Sequence, residues 1–168
     1  ARRIVPQMKA AHMKAVECRN LALPHLNPPG ERVTIPYEGK ALYGILRKPE
    51  GVTKPPVLVF ACGLDSCKEE TETYENPYLA RGIATLVFDG PGQGEGEYDF
   101  AIRGDYEVAV KAVIDYIETR NDLDALGGFE LGAAAGQKVV EIMRLDPVAQ
   151  EFDGNRDLDG LAVEFVEF

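Results

Sequence analysis

Serine and histidine are nearly missing from this chain. Its 168 residues hold one serine, Ser66, two histidines, His12 and His25, and no tryptophan. A hydroxyl nucleophile paired with an imidazole proton acceptor therefore has few residues to draw on. Cysteine numbers three, Cys18, Cys62 and Cys67. An odd count, with no C-x-x-C and no histidine close in sequence, fits neither a disulfide framework nor a zinc site. Reduced thiols in the cytoplasm are the plain expectation. Basic side chains are outnumbered 28 to 18, for a formal charge of −10, which argues against nucleic acid and against an anionic membrane surface. No apolar run approaches the roughly 18 residues a spanning helix needs, and no signal-peptide pattern opens the chain. Because the sequence begins at Ala1 rather than Met, its original start is expected to have been removed or never included.

What is present suits one globular domain, or part of a larger one: 45% hydrophobic and 27% charged residues support a sizeable core. Residues 4–23 carry Met8, Ala11, Ala15 and Ala22 among charged neighbours and read as a modest amphipathic helix. Asn27-Pro28-Pro29-Gly30 stops it. Val33-Thr34-Ile35 and Ala41 through Arg47, joined across Glu38-Gly39-Lys40, predict an antiparallel hairpin. Val57-Leu58-Val59-Phe60 and Ala84 through Phe88 are unbroken apolar runs, the pattern of strands buried on both faces. A helix is expected within 69–81, limited by Pro77, and a stronger one over 105–119 with Val110, Val113, Ile114 and Ile117 on its apolar face. Strand, helix, strand, helix implies right-handed crossovers and an α/β core. Beyond Arg120, Leu123, Ala125 and Leu126 are few for a central strand. Residues 131–145 read as helical, and Leu161 to Phe168 as one strand. The expected division is an N-terminal helical segment over 1–30, a core over 31–146 and an acidic C-terminal segment over 147–168.

Gly90-Pro91-Gly92-Gln93-Gly94-Glu95-Gly96 follows a strand, as phosphate loops do. It misses G-x-G-x-x-G in every register, since Glu95, Glu97 or Asp99 falls on the last position, and it lacks a Gly-Lys-Ser/Thr ending. No nucleotide, metal or other cofactor is expected.

Two longer motifs are more specific. Pro56-Val57-Leu58-Val59-Phe60-Ala61-Cys62-Gly63-Leu64-Asp65-Ser66-Cys67-Lys68-Glu69-Glu70 resembles the third strand and oxyanion loop of an α/β-hydrolase subgroup that usually shows Gly-Gly-Leu-Asp-Ser-Thr-Lys-Glu-Glu there. Phe88-Asp89-Gly90-Pro91-Gly92-Gln93-Gly94-Glu95 resembles its turn after strand 4, and Asp105-Tyr106-Glu107 the helix beyond. The subgroup includes 2,6-dihydroxypseudooxynicotine hydrolases, fungal yellowish-green pigment hydrolases and esterase-like relatives of the fermentation–respiration switch protein. The resemblance covers roughly residues 10–120. It implies an α/β-hydrolase-type, mostly parallel sheet, incomplete in its C-terminal half. It also implies hydrolysis of a carboxylic ester, or of a carbon–carbon bond beside a ketone, by a Ser-His-Asp triad. The backbone N–H groups of Gly63 and Leu64 would line the oxyanion hole, with Asp89 through Gly94 flanking the site.

The triad chemistry needs a serine on a strained G-x-S-x-G elbow and a histidine in reach. Gly128-Phe129-Glu130-Leu131-Gly132 has that spacing but puts Glu130 where serine belongs, and no histidine follows His25. Two readings stay open. Glu130 occupies the elbow as a carboxylate nucleophile, or the segment carrying strand 5 and the elbow is absent and Leu126-Gly127-Gly128-Phe129 matches the end of the following strand. The short apolar run before Gly127 favours the second. As written, the chain is expected to show no turnover by the triad mechanism. The competing class is an inactive homologue or fragment that binds a small ligand or a partner. A small ester or ketone is the expected ligand, and a homodimer the oligomer this reading allows.

The remaining features take plainer readings. His12 is expected to be structural or solvent-exposed, His25 to sit in a turn, and Cys62 and Cys67 to be small buried thiols. Gly128, Gly132 and Gly136 suit helix packing. Asp153 through Gly160 breaks the calcium-loop order and reads as a solvated acidic loop.

Overall fold

Glu38 and Gly39 both take positive φ, 44° and 75°, the geometry of a two-residue hairpin turn that matches strand twist. They join β1 (Gly30–Tyr37) to β2 (Lys40–Arg47), with Tyr37 opposite Lys40. Pro36 falls inside β1, where it is tolerated because β1 is the sheet's edge strand. The computed structural model describes residues 6–63, 65–133, 139–144 and 161–166.

The remaining elements are α1 (Pro6–Ala22), β3 (Pro56–Ala61), α2 (Glu72–Leu79), β4 (Ala84–Asp89), α3 (Glu107–Glu118), β5 (Asp124–Ala133), β6 (Val139–Arg144) and β7 (Leu161–Val166). The sheet order is β1-β2-β4-β3-β5-β6-β7. Its centre is parallel, β3 pairing with both β4 and β5, and its flanks are antiparallel. Period-2 alternation assigns the faces. Val57 and Val59 pack with Leu86, Phe88 and the Ala109, Val110, Val113, Ile114 and Ile117 face of α3. Leu58, Phe60, Cys62 and Val87 form the opposite cluster, against Tyr78 and Ile83. Helices on both faces explain why β3 and β4 are apolar without interruption.

The C-terminal expectation changes. Residues 131–145 are not one helix, because β5 runs on to Ala133 and β6 occupies Val139–Arg144. β3 offers backbone partners to Leu131 through Ala133 and β7 to all of β6, and Val139, Val140 and Ile142 are β-branched residues that suit a pleated surface. The apolar run before Gly127 does not itself pair in the centre of the sheet. β5 tolerates it through an irregularity: Pro56 pairs with Asp124 but Val57 with Phe129, so residues 125–128 fall outside the ladder. The expected strand near the C-terminus is β7. The acidic loop expected over 153–160 lies outside the described residues.

Candidate functional site at the carboxyl ends of the central strands

In an open parallel sheet, ligand sites form where the chain leaves the carboxyl ends of the strands. Here β3 leads into Cys62 and Gly63, and β4 into Gly90. Gly63 N–H donates to Ser66 Oγ at 3.2 Å, and Ser66 N–H returns a bond to Gly63 O at 3.3 Å. The chain then enters a 3₁₀ turn at Lys68–Glu70.

That turn is held from below by buried charge. Lys68 and Asp89 are fully buried and Glu95 nearly so. Lys68 Nζ lies 2.7 Å from Asp89 Oδ2, 2.6 Å from Glu95 Oε2 and 2.8 Å from Glu69 Oε1. Asp89 also accepts the backbone N–H groups of Lys68 and Glu95, each at 2.9 Å, so one carboxylate fixes both loops. Arg32 grips Glu95 with a two-pronged contact at 2.7 and 3.0 Å. Burial by itself would weaken the Lys68 ammonium, but Asp89, Glu69 and Glu95 outweigh it and hold its pKa above the ordinary value. Burial opposes the Glu95 carboxylate too, and the bonds from Arg32 and Lys68 still hold it below the ordinary range.

Gln93 stitches the same region from the other side. Its amide donates to Cys62 O, while Oε1 accepts Gly90 N–H at 3.0 Å and the Tyr106 hydroxyl at 2.6 Å. One side chain thus links the end of β3, the turn after β4 and the start of α3. The glycines of this turn serve close approach. Gly94 has φ 42°, and a Cβ there would stand 2.1 Å from Asp89 Oδ2.

The thiols are poorly suited to attack. Burial, followed by Asp89, pushes the Cys62 pKa up. Burial and Glu69 push Cys67 up to about 12. Ser66 is bonded within its own turn. His12, on α1, engages the Tyr98 hydroxyl through Nδ1 at 2.6 Å and faces Glu69 through Nε2 at 4.0 Å. Among the described residues no histidine is hydrogen-bonded to Ser66. His25 is exposed, at the end of a 3₁₀ turn whose first residue, Leu23, is buried. Leu64 lies outside the described residues. Glu130 lies within β5, in register with Leu58 of β3.

Among the described residues, two groups have donors close enough for a cation: Glu69 with Asp89 and Glu95, and His12 with Cys67 and Glu69. The first already surrounds the Lys68 ammonium. Sequence reasoning placed Gly63 and the turn after β4 at this site but missed Lys68, Glu95, Gln93 and Arg32 as its framework. The available signal was one lysine in an acidic stretch, directly after a buried strand.

No family model matches the chain. The 2,6-dihydropseudooxynicotine hydrolase of Paenarthrobacter nicotinovorans is 41% identical over 123 residues, covering 71% of this chain and 34% of that protein. Hydrolyase ccsE of Aspergillus clavatus is 34% identical over 165 residues, covering 83% of this chain and 38% of its own length. The crystal structure of 2,6-dihydroxy-pseudo-oxynicotine hydrolase matches at a TM-score of 0.72 and 34% identity, over 78% of this chain and 37% of that one. The sheet order, the two helical layers and these relatives agree: the chain belongs to the α/β-hydrolase superfamily. Within it, its similarity is to the subgroup of the pseudooxynicotine hydrolase and the fungal hydrolases. The chain spans little more than a third of the length of these relatives.

Proposed function

We propose that this chain carries the oxyanion-stabilising part of a hydrolase site for a small carboxylic ester or a carbon–carbon bond beside a ketone. The observation that supports it most is Gly63. Its N–H, at the carboxyl end of β3, already donates to an oxygen, the Ser66 hydroxyl, on a turn anchored by the Lys68–Asp89–Glu95 cluster. A developing oxyanion would take over this donor, with Leu64 N–H as the second. Rigid support from below is what such donors require, since their catalytic value lies in not having to reorganise.

Attack and proton transfer are not provided for in the same way. The lone serine is committed to Gly63, and both histidines lie near the amino end. A polypeptide of these 168 residues therefore binds an ester or ketone without serine-dependent turnover. At best it keeps the roughly 10³–10⁴-fold advantage over water that binding and oxyanion donors leave when a triad is lost. A reduced compartment such as the cytoplasm suits its three free thiols. Among the described residues, no helix is long and apolar enough to cross a membrane.

The test combines a chromogenic short-chain ester with amide NMR. The Gly63 amide resonance is expected to shift when an aryl methylphosphonate, a tetrahedral anion, is added, while hydrolysis sensitive to serine reagents is absent. An unmoved Gly63 resonance removes the oxyanion role. Serine-reagent-sensitive turnover removes the reading of the missing nucleophile.

A further inference from the structure

We propose that His12, Cys67 and Glu69 form a binding site for a divalent cation of the zinc class, tying α1 to the turn after β3. Their donor atoms, an imidazole nitrogen, a thiol sulfur and a carboxylate oxygen, lie within 4.8 Å of one another. Bonds of about 2.0–2.3 Å at tetrahedral angles place ligand pairs about 3.5 Å apart, so closure asks for roughly 1 Å of side-chain rotation.

The surroundings are arranged for this. Because Nδ1 of His12 engages the Tyr98 hydroxyl at 2.6 Å, a hydrogen on Nδ1 leaves Nε2 with its lone pair facing Glu69. Bonding the second ring nitrogen is the usual way a metal-ligating histidine is oriented. Nε2 is buried without a hydrogen-bond partner, and so is Glu69 Oε2. The Glu69 side chain is 8% exposed, with Oε1 in ion-pair contact with Lys68 and Oε2 directed at His12. Such orphaned polar atoms are costly unless something occupies the space between them.

Charge points the same way. Glu69, Asp89 and Glu95 bring three negative charges against the two positive charges of Lys68 and Arg32. A divalent cation bound with loss of the Cys67 proton adds one positive charge and balances the cluster. Thiolate, imidazole and carboxylate together favour zinc over magnesium or calcium, and three protein ligands leave a fourth position open. The subgroup motif usually has threonine where this chain has Cys67, so the motif itself does not supply the sulfur donor. Spacing conceals the donor set, since one ligand comes from α1 and two from beyond β3.

Cobalt titration of the 168-residue chain tests the site. One equivalent of Co²⁺ is expected to give a near-ultraviolet thiolate-to-metal charge-transfer band that Zn²⁺ displaces. Cys67→Thr, which restores the motif residue, should abolish the band, and His12→Gln should weaken Zn²⁺ binding about tenfold or more. The absence of a band, an equal band in Cys67→Thr, or unchanged affinity in His12→Gln overturns the proposal. A second readout uses the unaltered chain: Zn²⁺ should slow alkylation of Cys67 about tenfold and leave exposed Cys18 unaffected. Equal Cys67 rates with and without Zn²⁺ likewise overturn it.

Discussion

Lys68 Nζ lies 2.7 Å from Asp89 Oδ2, and neither side chain reaches solvent. The pair joins the turn after β3 to the end of β4, which places an ionic tie beneath the candidate oxyanion donor. Removing one member of such a pair strands the other charge in a poorly solvated interior. Lys68→Met is therefore expected to cost about 3–5 kcal/mol in urea unfolding, because Asp89 and Glu95 lose their ammonium together. A loss under 1 kcal/mol would mean that water compensates these carboxylates.

Two glycines with positive φ should respond differently to alanine. At Gly39 (φ 75°) a Cβ meets nothing within 4 Å, so Gly39→Ala should cost only the left-handed backbone penalty, about 1–2 kcal/mol. At Gly94 the added carbon collides with the Asp89 carboxylate as well. Gly94→Ala should therefore displace Asp89 and destabilise the chain by clearly more than Gly39→Ala in the same denaturant series. Equal losses would show that the turn after β4 has room to relax.

The legible parts of the fold were those with one unambiguous period. β3 and β4 stand out as unbroken apolar runs, and α3 as an apolar face at helical spacing. Residues 131–145 were illegible because Leu131, Val139, Ile142 and Met143 satisfy helical spacing, while β3 takes Leu131 to Ala133 as backbone partners and β7 takes Val139 to Arg144. At the site, Gly63 and the glycine turn were marked by motif. The ionic framework was not, since Arg32 comes from β1, Lys68 from the turn after β3, and Asp89 with Glu95 from the end of β4 and its turn, three segments that converge only once the sheet is assembled.

Acid should probe that framework through Glu95. Its folded pKa lies below the ordinary 4.5: burial raises it, but the Arg32 fork and Lys68 lower it further. A carboxylate with a depressed folded pKa contributes stability in full above its unfolded pKa. That stability drains away as pH falls from 4.5 through the folded value. Arg32→Gln removes the main opposing bond, so the folded pKa rises and the acid-dependent loss shrinks. Loss of the Arg32 contact over Tyr43, 4.3 Å from the ring centroid, lowers stability at every pH and leaves the slope alone. Urea midpoints from about pH 6 to pH 3 should show a shallower acid limb in Arg32→Gln. Parallel limbs would take Glu95 out of the account.

The last prediction concerns Glu130. A carboxylate nucleophile must sit on a strand-to-helix elbow, where its backbone is strained and its oxygen stands clear of the sheet. Residue 130 instead lies within β5, paired in register with Leu58, with three further ladder positions beyond it at Leu131, Gly132 and Ala133. A mid-strand position is not a strand-to-helix elbow, and no histidine follows His25 in the sequence to activate water for the second step. Glu130→Gln is accordingly expected to leave any residual ester hydrolysis by this chain unchanged, measured with a chromogenic substrate at equal protein concentration. Abolished hydrolysis in Glu130→Gln, combined with insensitivity of the parent chain to serine reagents, would instead identify Glu130 as the attacking group.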